Sequence, residues 1–364
     1  MKILITGADS FIGKNLKTEL MNRNYNEVAA IDDCGETEVL QRYVDESDLI
    51  FHLQTIYRSD DAAAFERINT GTTKKVIELI GNRKKDLIYV SSTQAENQSP
   101  YGISKRKAEE AVEAWAASTG NKACIIRLAN EFGKWCPPNL NSVVATFCDN
   151  IAGEKEIQIN NPDAPLKLVY IDDIIDGLLH ALQEDCPMYT GITPAYDITV
   201  GRLADTIKGF YRDRKAGNVP DTGDDLTKKL YSTYLSYLPQ DRFAMPLEPH
   251  TDERGSFTEL IHFGGLGQVS VNISKPGVTK GNHWHHTKTE RFIVIKGCGI
   301  IRLRKIGDNK VIEYPVSGDR IEAVDIPPGY THNITNTGKT DMFTVIWANE
   351  IFKQENADTY FEEV

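Results

Sequence analysis

Gly277-Val-Thr-Lys-Gly-Asn-His283-Trp-His285-His286-Thr-Lys-Thr-Glu290-Arg-Phe-Ile-Val-Ile-Lys-Gly297 sets imidazoles and a carboxylate between two bounding glycines. Histidine nitrogens and a carboxylate oxygen are what a divalent metal such as zinc takes from a protein. Residues two apart on a strand share a face, so His283 and His285 point together, and a turn can return Glu290 to that face. A fourth ligand is then expected downstream. Pro327-Pro-Gly-Tyr-Thr-His332 supplies it, with Asn336 at the fourth position beyond. Val/Ile/Phe-rich stretches at 291–296, 299–304, 311–316 and 342–348 read as short strands around the two motifs. A lone histidine near a turn is ordinarily a solvated polar group. Four candidate ligands in two ordered motifs point instead to a metal.

The two motifs resemble those of the cupin superfamily, small all-β jelly-roll barrels that hold a metal inside. The resemblance implies that His283, His285, Glu290 and His332 bind Zn2+ or another divalent ion. One position departs from the pattern: Ile321 stands where a glycine is usual, and the nearest glycine is Gly318, which implies a longer loop.

A second signature opens the chain. Lys2-Ile-Leu-Ile-Thr6 is a buried-strand pattern that runs into Gly7-Ala-Asp-Ser10-Phe11-Ile12-Gly13 and then a helical stretch. Gly7 permits a tight turn, Gly13 permits close helix–strand packing, and the helix start offers free amides to a pyrophosphate. Ser10 replaces the middle glycine; it is small enough for the phosphates to approach, and its hydroxyl can donate to one. Further strands are expected at 27–31, 49–53, 86–91, 123–128 and 168–171, alternating with helical patterns at 101–118 and 172–184. Such alternation implies a parallel sheet covered by helices on both faces.

Tyr101 and Lys105 are four apart, hence neighbours on one helix face, and Ser92 ends the preceding strand. A phenol with an ordinary pKa of about 10 becomes a better proton donor when an ammonium stabilises its anion. With Asn69-Thr-Gly71, Arg127-Leu-Ala-Asn130-Glu-Phe-Gly133 and Tyr170-Ile-Asp-Asp173, these residues resemble the extended short-chain dehydrogenase/reductases. The resemblance implies Ser92, Tyr101 and Lys105 as catalytic residues. It implies a dinucleotide held by Gly7, Ser10, Phe11, Ile12, Gly13, Asp32, Leu53, Asn69 and Lys105, and a sugar contact from Asn130. Only eight residues separate Ser92 from Tyr101, fewer than is usual there, so Thr93 is kept as a substitute for Ser92. Asp32 ends the second strand, where a carboxylate accepts from a ribose 2′-hydroxyl and favours NADH, whereas the family prefers NADPH. NADPH is the first expectation, with Arg58 or Lys14 reaching the 2′-phosphate.

The 364 residues suit two domains at roughly 150 residues each. Pro239, Pro246 and Pro249 interrupt the pattern, which gives a reductase domain at 1–243, its nucleotide-sugar part at about 134–243, and a cupin domain at 244–364. The expected fold is therefore α/β, a Rossmann-type doubly wound parallel sheet, followed by an all-β jelly-roll barrel. Trp135, Asn139, Tyr231, Tyr234 and Tyr237 are candidates for the sugar-binding surface. A net charge of −11 argues against nucleic acid. No apolar run approaches the ~18–20 residues that span a bilayer and the start shows no leader, so a cytoplasmic chain without membrane insertion is expected. Cys34, Cys124, Cys136, Cys148, Cys186 and Cys298 lack Cys-x-x-Cys spacing and read as free thiols in a reducing compartment.

Asp252-Glu-Arg254-Gly-Ser-Phe257 resembles an element of the dTDP-4-keto-6-deoxyhexose 3,5-epimerases, which implies that Arg254 holds the nucleotide-sugar's phosphates; the alternative is a turn tied by Arg254 to Asp252 or Glu259. Over its whole length the chain resembles the bifunctional enzymes of capsule and O-antigen synthesis in the UDP-N-acetyl-L-fucosamine pathway, notably at Trp135-Cys136, Leu230–Leu238 and Lys280–His286. That resemblance implies a UDP-2-acetamido-2,6-dideoxy-4-hexulose, epimerised at C3 in the cupin domain and reduced at C4 with NADPH to UDP-2-acetamido-2,6-dideoxy-L-talose. The epimerase base is left among His286, Tyr314, Tyr330 and Lys280. Cupin barrels commonly pair by edge strands, so a homodimer is expected. Two other readings stand beside this one: a single-activity reductase with a structural or dimerising cupin, and a non-catalytic dinucleotide sensor, which the intact Tyr101–Lys105 pair disfavours.

Overall fold

The computed structural model describes residues 1–32, 34–183, 186–351 and 357–364. The chain forms two compact units: Met1–Lys208 with Asp225–Pro239, and Gly209–Asp224 with Gln240–Val364. Segment 209–224 goes with the second unit, where the Val219 amide donates to the His262 carbonyl at 2.8 Å.

The first unit is built on β1 (Ile3–Thr6), β2 (Val28–Ile31), β3 (Leu49–His52), β4 (Asp86–Ser92), β5 (Ala123–Leu128), β6 (Asn130–Phe132), β7 (Pro165–Tyr170), β8 (Tyr189–Thr190) and β9 (Tyr196–Thr199). Its helices are α1 (Phe11–Asn22), α2 (Thr37–Glu46), α3 (Ala62–Phe65), α4 (Gly71–Ile80), α5 (Pro100–Thr119), α6 (Val143–Ala152), α7 (Ile171–Gln183) and α9 (Asp225–Ser236); α8 (Val200–Lys215) spans the division between the units. The main sheet is parallel, in the order β2-β1-β3-β4-β5-β8.

Alternation along the strands decides which helices cover which face. Ile3, Ile5, Phe51, Ile88 and Ile126 pack on α1 and α7, whereas Leu4, Ile50, Leu87, Tyr89 and Ile125 pack on α2, α4 and α5. The strand order reverses between β1 and β3, so the crevice beyond their carboxyl ends is where such a sheet takes a ligand. The strand expected at 168–171 is corrected. It lies in β7 of a separate three-stranded sheet, β6-β7-β9, while β8 takes the sixth place in the main sheet by pairing with β5. Residue 184, at the end of the helix expected over 172–184, lies outside the described residues. The expectation of six free thiols is also corrected: Cys124 and Cys186 form a disulfide, and Cys34, Cys136, Cys148 and Cys298 stay outside it.

The second unit contains β10 (His250–Asp252), β11 (Gly255–His262), β12 (Gln268–Ser274), β13 (Thr279–Trp284), β14 (Glu290–Lys296), β15 (Cys298–Lys305), β16 (Val311–Ser317), β17 (Ala323–Ile326), β18 (Tyr330–Asn336), β19 (Met342–Ala348) and β20 (Tyr360–Phe361). They form two sheets, β10-β11-β12-β19-β14-β17 and β16-β15-β18-β13-β20. Phe292 and Val294 from the first sheet and Ile301, Leu303 and Ile334 from the second meet in one core. This is the expected all-β barrel architecture. Among the described residues no helix is long and apolar enough to cross a membrane.

Candidate functional site

The loop from β1 to α1 has no room for larger residues. A Cβ on Gly7, whose φ is +70°, would lie 2.8 Å from the Gln54 backbone, and one on Gly13 would lie 2.4 Å from the Gly7 carbonyl oxygen. Ser10 caps α1, its Oγ accepting from the Gly13 amide at 3.1 Å. The Phe11 and Ile12 amides belong to the first turn and have no acceptor within the helix, which favours an anion there.

A cleft of ≈ 520 Å³ begins at Asp9–Ile12 and Leu53 and reaches Ser92, Tyr101, Lys105 and Asn130. That volume is in the range of ligand sites, and the lining runs from the β1–α1 loop to Tyr101. Asp32 is exposed and its Oδ1 accepts from the Asp9 amide at 3.2 Å, while Lys14 and Arg58 line the cleft. Asn69, expected as a cofactor contact, is tied to its own unit. It is 1 % exposed, and its side chain bonds the Ile56 amide and carbonyl and the Ser104 hydroxyl, so it anchors the segment after β3 to α5.

Tyr101 sits in the first turn of α5, which starts at a Ser99 cap with Pro100 following and ends at Gly120 in the left-handed region. Burial, then Glu131, push the Tyr101 phenol well above its ordinary value, and hydrogen bonds with the Ser92 and Thr55 hydroxyls pull it back. These contacts favour Ser92 over Thr93 as the partner of Tyr101. Lys105 is 1 % exposed, donates to the Val90 carbonyl at 2.8 Å and lies 4.5 Å above the Tyr89 ring. Burial pulls its pKa down to about 7, against the opposing pull of Glu109 and Glu131. The groups that lower the Tyr101 pKa are these two hydroxyls, and Lys105 lines the same cleft as Tyr101.

Three cleft residues escaped the sequence reading. Thr55 bonds Tyr101, and Glu131 lies 3.5 Å from the Tyr57 hydroxyl, whose ring is 6.0 Å from that of Tyr101. Glu131 stood inside the Arg127–Gly133 motif, where a carboxylate next to a strand end was the available signal. Burial raises its pKa.

In the second unit, His283, His285, Glu290 and His332 each offer a ligand atom, all within 4.8 Å of one another. Register explains the gathering: His283 of β13 pairs with His332 of β18, His285 follows the end of β13, and Glu290 opens β14 in the facing sheet. The expectation that Glu290 returns to the face of His283 is therefore corrected to one of two sheets converging. A bulge between Gly281 and His283 aims the strand, and Gly281 is needed because a Cβ there would lie 2.6 Å from the His332 carbonyl. Burial and the neighbouring His332 hold His283 down at about 4, so it is a neutral lone-pair donor at neutral pH. His285 Nε2, 3.5 Å from the Glu290 carboxylate, is buried with no hydrogen-bond partner among the described residues, and His332 Nε2 lies 3.1 Å from the same carboxylate. Imidazole nitrogens gathered around a carboxylate, one of them orphaned, fit a divalent ion such as zinc. Lys288 also reaches Glu290, 3.1 Å away.

Residues 3–189 match the NAD dependent epimerase/dehydratase family, and residues 250–360 match the polysaccharide biosynthesis C-terminal domain. The chain belongs to the NAD dependent epimerase/dehydratase family. A member at 41% identity is the UDP-2-acetamido-2,6-beta-L-arabino-hexul-4-ose reductase of Pseudomonas aeruginosa, aligned over 99% of this chain and 98% of that protein. The crystal structure of the capsular polysaccharide assembling protein CapF from Staphylococcus aureus is similar at a TM-score of 0.92 and 43% identity, covering 100% of both chains. The UDP-glucose 4-epimerase of Thermotoga maritima, at TM-score 0.55 and 20% identity, covers 65% of this chain and 98% of its own, and shares the fold alone. The expected pairing of an extended reductase with a cupin of capsular polysaccharide synthesis is thereby met.

For this family member the remaining expected contacts divide. Asn130 lines the cleft and its side chain donates to the Lys167 carbonyl at 3.1 Å. Trp135 is 53 % exposed and lines the same cleft, whereas Tyr234 is core and Tyr237 donates to the Cys136 carbonyl. Arg254 makes the contact named as its alternative: its guanidinium bonds Asp252 at 2.9 and 2.6 Å across the β10–β11 turn. Among the epimerase-base candidates, Lys280 bonds Asn272 at 2.7 Å, Tyr314 is exposed on β16, Tyr330 packs on the core, and His286 packs against Trp284 and Tyr360.

Proposed function

We propose that the chain is a bifunctional nucleotide-sugar enzyme: its second unit epimerises C3 of a UDP-2-acetamido-2,6-dideoxy-4-hexulose and its first unit reduces the C4 ketone, giving UDP-2-acetamido-2,6-dideoxy-L-talose. The observation that carries the reading is the pair of separate residue sets: Ser92, Tyr101 and Lys105 lining one cleft with the β1–α1 loop, and the His/Glu cluster of the second unit. A full-length relative named as a 4-keto-sugar-nucleotide reductase supports the first activity.

In the reduction, Tyr101 gives its phenolic proton to the ketone oxygen, Ser92 orients that oxygen, and Lys105 supports Tyr101 and the cofactor ribose. The nicotinamide supplies the hydride when bound. Gly7, Ser10, Phe11, Ile12 and Gly13 form the pyrophosphate cradle. NADPH is the proposed dinucleotide, because an Asp32 oxygen is engaged by the Asp9 amide while Lys14 and Arg58 line the cleft. In the epimerisation, His283, His285, Glu290 and His332 hold a divalent ion, and a base of the same unit moves the C3 proton. The ion supplies Lewis acidity at the 4-keto oxygen when bound. Both steps leave the sugar on its UDP, and a homodimer in the cytoplasm completes the reading.

A second reading has one observation in its favour. His332, His285 and Glu290 are 0%, 2% and 8% exposed, as in a closed structural metal site, which suits a single-activity reductase with a structural cupin. Incubation of the 4-keto UDP-sugar with NADPH tests the main reading. Cofactor oxidation yielding a C3-inverted product supports it, and a reduced product with unchanged C3 favours the second.

A further inference from the structure

The described segment from Asp358 to Glu363 lies against the strands that carry the histidine cluster. Phe361 and Tyr360 of β20 pair with His283 and Trp284 of β13, and the Glu362 amide donates to the Asn282 carbonyl at 3.0 Å. The Thr331 hydroxyl donates to the Glu362 carbonyl, and Arg304 donates to the Glu362 carboxylate at 2.8 Å. The immediate neighbours of His283 and of His332 are therefore held by this one segment.

Asp358 makes the connection to the third histidine. Its carboxylate accepts from the amides of His286, Thr287 and Lys288 at 2.9, 2.7 and 3.0 Å and from the Thr287 hydroxyl at 3.0 Å. Its own backbone carbonyl accepts from His285 Nδ1. A carbonyl oxygen can only accept, so the proton sits on Nδ1 and the lone pair is on Nε2, the buried nitrogen 3.5 Å from Glu290. One residue thus fixes both the tautomer of His285 and the loop that joins β13 to Glu290.

We infer that Asp358 is a positioning residue for metal binding: it clamps the 286–288 amides with its carboxylate and thereby holds its carbonyl on His285. The inference rests on the reading that the cluster binds a divalent ion. Groups that orient a ligating histidine from behind change metal affinity by about 10- to 100-fold when removed.

The test is zinc affinity of the full chain, measured by competition with a chromogenic chelator for wild type, Asp358→Ala and Asp358→Asn, with thermal melting as the folding control. The expected result is one tight site in wild type, binding weaker by about 10- to 100-fold in Asp358→Ala, and Asp358→Asn, which keeps one acceptor oxygen, in between. Wild-type affinity in a folded Asp358→Ala protein overturns the role of Asp358 and leaves the metal site standing. Absence of a stoichiometric site in wild type overturns both. If the alanine variant does not fold, Asp358→Asn decides: weaker zinc binding with an altered visible spectrum of the cobalt-loaded protein supports the role, and binding and spectrum equal to wild type overturn it.

Discussion

Gly13→Ala isolates the dinucleotide cradle. The added Cβ would lie 2.4 Å from the Gly7 carbonyl oxygen and 2.7 Å from that of Ala8, both backbone atoms that no side-chain rotation can move. Reaching the ordinary contact distance of 3.4 Å requires the loop and the start of α1 to part by about 1 Å. Helix propensity favours alanine by ~1 kcal/mol, so α1 stays formed and the loop gives way. A misplacement of ~1 Å costs on the order of 10²-fold in a site that depends on alignment, equivalent to ~2.7 kcal/mol. Titration of NADPH by fluorescence, with zinc content and the melting of the protein as controls, is expected to show dissociation weakened by about that factor. A folded Gly13→Ala protein that binds NADPH within twofold of wild type would refute the cradle.

Tyr101→Phe is expected to remove C4 reduction while leaving C3 proton exchange, as read by NADPH oxidation and by product NMR; loss of both activities together would count against separate sites. Lys105 is held at about 7 by burial against an ordinary 10.5, so between these values the unfolded chain binds a proton that the folded chain has shed. Ligand-free stability in urea should therefore rise with pH across about 7 to 10.5, and Lys105→Met should lack that part of the slope. Glu109, 1 % exposed, accepts from Ser91 at 2.5 Å and from Arg127 at 3.0 and 2.6 Å, and Glu109→Ala should cost ~3 kcal/mol in urea unfolding. Glu96→Ala removes an exposed partner of the same Arg127 and should cost less than ~1 kcal/mol; equal costs would contradict the burial argument.

What was legible in the sequence was what repeats at short range. The β1–α1 loop, the Tyr101–Lys105 helix and each of the two metal motifs declare themselves within about 20 residues of sequence; the helix period puts Tyr101 and Lys105 on one face, whereas Glu290 joins the histidines from the facing sheet. Contacts made by register across long separations were not legible. Asp358 reaches the 286–288 loop across about 70 residues, and Glu131 reaches Tyr57 across 74. Asn69 was named by the family resemblance alone, and its bonds to Ile56 and Ser104, made from a π-helical turn at Glu66–Thr70, had no signal in the sequence. The partner of Arg254 was legible as one of two readings, since Asp252 stands only two residues away on a hairpin turn. β7 read as part of the main sheet because its apolar end resembles the other buried strands, and only pairing to β6 and β9 removes it.

The central claim is that the histidine cluster activates the same sugar that the cleft reduces. Its most direct test supplies the 4-keto UDP-sugar in heavy water without reduced dinucleotide, using wild type, Tyr101→Phe and chelator-treated protein, and follows deuterium at C3 by NMR. The account predicts incorporation with wild type and Tyr101→Phe, lost on chelation and restored by zinc. No incorporation in any sample, or incorporation that survives chelation, would contradict it.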